Sequence, residues 1–280
     1  MPLTIRETQS ICKLVVDLCG IELDSQKDYL IENRLSAILE ETGLPSYAKL
    51  AEEAQRGNGV LQGKIVDAIT TNETLFFRDG APFQAFQAKV IPDLIDEKST
   101  TAFPKRIRIW SLACSSGQEP YSLAMKLFQL IPDVENWDIN ILASDISRAA
   151  IGKASKGVYD SYEVRRGVPD FMLTKYFVPQ DNNWRIRDEV RALVTFEQRN
   201  LINDFGSTGP FDVIFCRNVA NYFSEDVRRK LFLRLHQQLN PGGYLFVGST
   251  ESLSHLSEQF EPHYHCNTVF YRSLPAMTKP

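Results

Sequence analysis

Over the first seventy positions apolar residues recur every three or four places: Ile11, Leu14, Val15 and Leu18, then Leu30, Ile31, Leu35, Ile38 and Leu39, then Ile65, Val66 and Ile69. That period is the signature of helices with one buried face. Gly20, the Thr42-Gly43-Leu44-Pro45 run and Gly57-Asn58-Gly59 interrupt it, as breaker residues do between helices. A small all-helical domain over residues 1–71 is expected. From Arg106 the pattern changes. Short apolar runs at 106–112, 139–143, 193–198, 211–215 and 244–248 are separated by longer stretches, and those at 120–130 and after Ser224 have helical period. Strands alternating with helices predict an α/β fold, a doubly wound and mostly parallel sheet, over residues 72–280. Pro241-Gly242-Gly243 reads as a stop before the last of these strands, and 263–271 as edge-strand material. Residues 155–199 are too many for a simple crossover. Within them 176–178 and 184–187 flank the turn-forming stretch 179–183, which predicts a small antiparallel β insertion.

Composition narrows the class. Against 31 basic residues stand 35 acidic ones, so no polyanion-binding footprint exists in the net charge. The chain has no apolar run of about 18 residues and no signal-peptide pattern at Met1-Pro2-Leu3, which predicts a soluble, cytoplasmic protein. Cysteines at 12, 19, 114, 216 and 266 are odd in number and lack zinc-like spacing; reduced thiols are expected. Residues 1–70 carry 7 Lys/Arg and 11 Asp/Glu. Lys27 and Arg34, seven apart, nevertheless share one helix face.

Chemistry concentrates at strand ends. Residues 107–125 read I-R-I-W-S-L-A-C-S-S-G-Q-E-P-Y-S-L-A-M, a strand, a loop of small residues and a helix opened by Pro120, a residue suited to the first helical position. A ligand sits against such a loop at the carboxyl end of the strand. With one glycine it is a poor dinucleotide fingerprint, and Glu119 would repel a pyrophosphate; a cationic ligand fits better. Asp145 ends the second strand, where an acidic residue receives ribose hydroxyls. Asn200 and Asn218 end two further strands and offer amides for an adenine edge or an amino-acid moiety. Each alone is an ordinary turn residue, but four ligand-capable ends in one sheet point to a site. The run T-T-N-E-T-L-F-F-R-D at 70–79 joins the two domains. A helical linker with Leu75 and Phe76 inside would leave Asn72, Thr74 and Arg78 without a task.

Together these segments resemble the chemotaxis receptor methyltransferases of the CheR type, which methylate glutamate side chains with S-adenosylmethionine. T-T-N-E-T-L-F-F-R, W-S-L-A-C-S-S-G-Q-E-P-Y-S-L-A, A-S-D-I-S, F-D-V-I-F-C-R-N-V-A-N-Y-F and G-G-Y-L-F-V-G-S-T-E stand in the family's order along nearly the whole chain. The resemblance implies a Rossmann-like class I methyltransferase domain and cofactor contacts from Asn72, Thr74, Arg78, Glu119, Asp145, Asn200, Leu201, Arg217 and Asn218. It places Arg78 and Tyr222 beside the methyl group as candidate catalytic residues. It makes the cytoplasmic helical bundle of methyl-accepting chemotaxis receptors the expected partner. Two departures stand out. Ala220 and Asn221 replace larger aliphatic residues, and the short 179–183 turn lacks the glycine-rich insertion of relatives that tether to a receptor's carboxyl-terminal pentapeptide. Docking without that pentapeptide is therefore expected. Competing readings are a methyltransferase of another carboxylate and a non-catalytic cofactor-binding signalling module. A nicotinamide dehydrogenase is disfavoured by the missing glycine fingerprint.

Overall fold

The computed structural model describes residues 3–23, 28–100 and 105–275. Thr4 opens α1 (Ile5–Cys19) through a reciprocal capping box with Glu7, which satisfies two otherwise unpaired amides. α2 (Asp28–Thr42), α3 (Tyr47–Gln55) and α4 (Gly59–Ile69) follow, the last two capped by Ser46 and Asn58. Ile11, Leu14, Val15, Ile31, Leu35, Ile65 and Ile69 meet in a core of their own. The helical period was thus a true guide. Lys27 falls outside the described residues.

The joining segment is not a helix. Residues 71–75 have no regular structure and 76–79 form a turn. Phe76 pins it, edge-on to the rings of Tyr159 (5.0 Å) and Phe177 (5.6 Å), and the Phe77 amide donates to Ser122 Oγ at 3.0 Å. A helical run then follows, with α5 (Ala81–Ala85), a π turn over Phe86–Val90 and α6 (Ile91–Ser99).

The second unit is a seven-stranded sheet. Its elements are β1 (Lys105–Leu112), α7 (Gln118–Leu130), β2 (Trp137–Asp145), α8 (Arg148–Lys156), β3 (Val158–Asp160), α9 (Ser161–Arg165) and α10 (Asp170–Tyr176). β4 (Phe177–Gln180), β5 (Asn183–Ile186), α11 (Asp188–Arg191), β6 (Val194–Gln198), β7 (Phe211–Cys216), α12 (Glu225–Gln237), β8 (Leu239–Val247), β9 (Phe260–His265) and β10 (Thr268–Ser273) complete it. The main sheet runs β6-β2-β1-β7-β8-β10-β9. Its first five strands are parallel, and the final hairpin adds two antiparallel ones. Strand order reverses between β1 and β7, the place where open α/β sheets form a crevice at their carboxyl ends. Alternate β1 residues serve opposite faces. Ile107 and Ile109 join Phe215, Phe246 and α7 on one side, whereas Trp110 and Leu112 join Ile214, Leu245 and α12 on the other. β3, β5 and β4 form the small antiparallel sheet.

One boundary differs from the sequence expectation. β8 begins at Leu239 and passes through Pro241-Gly242-Gly243, with a register shift against β7. β10 pairs only with Tyr244–Phe246, so Pro241 lies beyond its reach, and Gly242 takes φ 76°; proline is tolerated where no ladder donor is needed. The edge-strand material expected at 263–271 is a hairpin of two strands, β9 and β10, because Cys266 and Asn267 both adopt left-handed φ and turn the chain back on itself.

Candidate functional site

The carboxyl ends of β1, β2, β6 and β7 open into a cavity of about 280 Å³. Residues from the helical unit, among them Cys19, Ile21, Leu30, Ile31 and Arg34, close its other side. Asn72, Thr74, Arg78, Glu119, Asp145, Asn200, Leu201, Arg217, Asn218 and Tyr222 all line it. Leu30, on the apolar phase of α2 yet 40% exposed, faces this space.

The loop after β1 is bent tightly. Ala113 (φ 50°), Ser115 (φ 49°) and Gly117 (φ 92°) are left-handed, and a Cβ on Gly117 would lie 2.9 Å from that of Ala154. Such geometry in non-glycine residues persists only where surrounding bonds impose it. Here the Ser115 amide donates to Asp145 Oδ2 (2.8 Å), the Ser115 hydroxyl to the Asn72 carbonyl (3.0 Å), and the Cys114 amide to the Ser144 carbonyl (3.0 Å). Asp145 Oδ1 accepts the Ser147 amide at 2.8 Å. Burial pushes the Asp145 carboxyl above its ordinary pKa, and the Ser147 and Ser115 amides oppose that rise. Each carboxylate oxygen can accept more than one hydrogen bond, so capacity remains toward the cavity. The thiols of Cys114 and Cys216 are pushed up by burial, which keeps them protonated.

Arg217 is the buried hub, its side chain 1% exposed. It donates to Glu119 Oε2 at 2.8 Å, to Asp79 Oδ2 at 2.6 Å and to the Arg78 carbonyl at 3.1 Å. Glu119 Oε1 accepts the Ser111 hydroxyl at 2.8 Å. Two carboxylates around one guanidinium leave the group one negative charge in excess, an environment that favours a cation. Arg78 itself is half-buried and donates to the Glu73 carbonyl at 3.0 Å.

The helical unit is fastened to these strand ends. Asn200, which lines the cavity, also donates from Nδ2 to the Leu18 carbonyl at 2.7 Å and so ties α1 to this strand end. The Glu22 amide donates to the Tyr222 carbonyl at 2.8 Å, and Ile21 bridges to Phe223. At the end of α1, Gly20 takes φ 77°, and a Cβ there would come within 2.5 Å of Ile202. Arg34 donates to Thr71 Oγ1 at 3.0 Å and to the Ile69 carbonyl. It thereby braces the joining segment.

Beyond β7 the chain reverses through Asn218 (φ 58°) into a 3-10 turn over Ala220–Tyr222. Tyr222 stands 44% exposed. Buried Glu251 fills the turn: Oε2 accepts the amides of Asn218 (2.8 Å) and Gly248 (2.6 Å), and Oε1 those of Val219 (2.9 Å) and Ala220 (2.7 Å). Sequence reasoning passed over Glu251, Asp79 and Ser115. The first two stand in motifs whose neighbours drew attention, and nothing in composition or spacing reveals that each contacts a distant strand end.

Residues 6–70 match the CheR methyltransferase all-alpha domain and residues 72–268 the CheR methyltransferase SAM-binding domain. The chain is 39% identical over 263 residues to chemotaxis protein methyltransferase 1 of Pseudomonas aeruginosa, spanning 91% of this chain and 93% of that protein. It is 39% identical over 252 residues to a chemotaxis protein methyltransferase of Pseudomonas putida, spanning 87% and 89%. With chemotaxis protein methyltransferase 1 of Vibrio cholerae the identity is 38% over 265 residues, spanning 91% and 92%. Among the described residues no helix is long and apolar enough to cross a membrane.

Proposed function

This chain belongs to the CheR methyltransferase family, and on that footing we propose that it forms methyl esters on glutamate side chains of chemoreceptor signalling bundles in the cytoplasm. Its cofactor is S-adenosylmethionine. The residues present suit that cofactor: the excess negative charge around Arg217 accepts an ammonium group, and Asp145, at the end of β2, keeps acceptor capacity for ribose hydroxyls. Bound S-adenosylmethionine supplies a methyl group already activated by a positively charged sulfur. The acceptor glutamate is ionised near neutral pH, so no general base is required. What the protein contributes is alignment and exclusion of water.

In this reading Glu119 holds the amino-acid end of the donor and Asp145 its ribose. Asn72, Thr74, Asn200, Leu201, Arg217 and Asn218 complete the walls. Arg78 orients the acceptor carboxylate, and its bond to the Glu73 carbonyl moderates a grip that would otherwise weaken the nucleophile. Tyr222, exposed at the rim, offers its hydroxyl to donor or acceptor. The observation that carries the reading is one cavity lined by Glu119, Arg217, Asp145, Arg78 and Tyr222 together, with Asp79 pairing Arg217 from beyond that lining. We assign residues 1–71 to the helical domain, 72–280 to the methyltransferase domain and 155–199 to its β insertion.

The β4–β5 turn is short, with Gln180 and Asn183 directly opposed, which supports recruitment without a receptor's carboxyl-terminal pentapeptide. The deciding experiment incubates the protein with labelled donor and receptor cytoplasmic fragments, then maps the label. Base-labile label on glutamate is expected. Label on another acceptor, or donor binding with no transfer, would overturn the assignment.

A further inference from the structure

We propose that Glu251 is a positioning residue for the turn that presents Tyr222 to the cavity. The turn after β7 aims several backbone amides at one point. A hollow of successive N–H groups of this kind is an anion-binding concavity, and here the anion comes from the chain itself, from the loop after β8. Besides the four bonds already described, Oε1 lies 3.4 Å from the Asn221 amide. Among the described residues every hydrogen-bond partner of the Glu251 carboxylate is a backbone amide. The carboxylate therefore fixes the direction of the turn and not merely its distance from the sheet.

Two neighbours fit this role. A Cβ on Gly248 would lie 2.7 Å from Asn218 Nδ2 and 2.8 Å from Glu251 Oε2, so only glycine lets the two loops approach this closely. Asn221 Nδ2 donates to Thr250 Oγ1 at 3.1 Å, a second tie between the same loops. Asn221, which departs from the aliphatic residue the resemblance implies, thereby gains a task. The backbone of Tyr222 is held from its other side by the Glu22 amide, so Glu251 and the helical unit together determine where its ring stands.

Glu251→Gln keeps the shape but replaces one accepting oxygen with a donating NH2, leaving at least two amides facing a donor. Two measurements decide the proposal. Amide hydrogen exchange at 218–221 is expected to accelerate at least tenfold while β7 and β8 amides are unchanged. Turnover per donor site, counted by titration with S-adenosylhomocysteine, is expected to fall at least tenfold, with the dissociation constant of that ligand within fivefold of the parent. A purely structural role would lower the number of titratable sites and leave turnover per site within twofold; that result overturns the proposal, as does unchanged exchange. Glu251→Asp, which retains the charge but retracts it, is expected to show the same split to a smaller degree and serves if the glutamine variant does not fold. The turnover arm rests on the methyltransfer reading. If the parent methylates no acceptor, that reading fails, whereas acceleration confined to 218–221 still supports the positioning role and unchanged exchange still defeats it.

Discussion

Replacing Glu119 with glutamine probes the charge balance of the cavity directly. The amide oxygen can keep the Ser111 hydroxyl, but the NH2 group then faces Arg217 Nη1 across the 2.8 Å now occupied by an ion pair. Breaking a buried pair with no other compensation costs roughly 3–5 kcal/mol. Arg217 keeps Asp79 and the Arg78 carbonyl, so the loss of folding stability should be nearer to one charged hydrogen bond, about 1.5–3 kcal/mol. For the ligand, the surroundings of Arg217 change from one excess negative charge to none. Losing a charge-assisted bond to the donor's ammonium, again about 1.5–3 kcal/mol, corresponds to roughly 10- to 150-fold in affinity. Calorimetry should compare S-adenosylhomocysteine with methylthioadenosine, which has the nucleoside and lacks the amino-acid end. The first should weaken by at least tenfold and the second stay within twofold. Equal weakening of both would mean that Glu119 shapes the cavity as a whole, and no change in either would remove it from the site.

Further outcomes follow from the same geometry. Because burial raises the Asp145 pKa, its ionised form costs folding stability at neutral pH, and the cost fades as pH falls through the raised value. S-adenosylhomocysteine affinity should decline over that same window, at higher pH than an ordinary aspartate would give, and Asp145→Asn should abolish this dependence; an identical profile in the variant contradicts the assignment. Replacing His236, His255, His263 or His265 should leave turnover intact, since an ionised acceptor requires no base, and loss of turnover with donor binding preserved would refute this. Arg34→Ala should lower the melting temperature and donor affinity through the freed joining segment; a purely salt-dependent fall in receptor binding, with both unchanged, would refute this and mark Arg34 as a docking charge. Removing a receptor's last residues should leave its methylation rate nearly unchanged, whereas strong dependence on them would show tethering.

Periodicity and strand-end residues carried most of the architecture. Ser147 and Ser224 cap the helices that follow them, and such caps can be read from sequence because capping is local chemistry written within three residues. The β8 start was misplaced for the opposite reason: whether Pro241 breaks a strand depends on how far β10 reaches, a contact some thirty residues away in sequence. The cavity brought together every residue singled out from strand ends and resemblance, since strand ends in a parallel sheet converge whatever lies between them. The pairing of Arg217 with Asp79 stayed hidden because it joins β7 to the segment before α5, 138 residues apart. That Arg34 braces the joining segment was not legible, because helix phase records which residues share a face, not what that face meets.

The bonds from Asn200 to the Leu18 carbonyl and from the Glu22 amide to the Tyr222 carbonyl make the helical unit part of the cavity wall. A ligand in the cavity and a protein gripping the helices then act on one shared set of contacts. Any coupling between the two binding equilibria must be reciprocal. If a receptor bundle shifts α1 or α2 enough to change donor affinity by some factor, the donor changes receptor affinity by that same factor. Enzyme that has released its methyl group would then hold its receptor with an affinity that depends on which nucleoside it still carries, so exchange of product for fresh donor resets the grip.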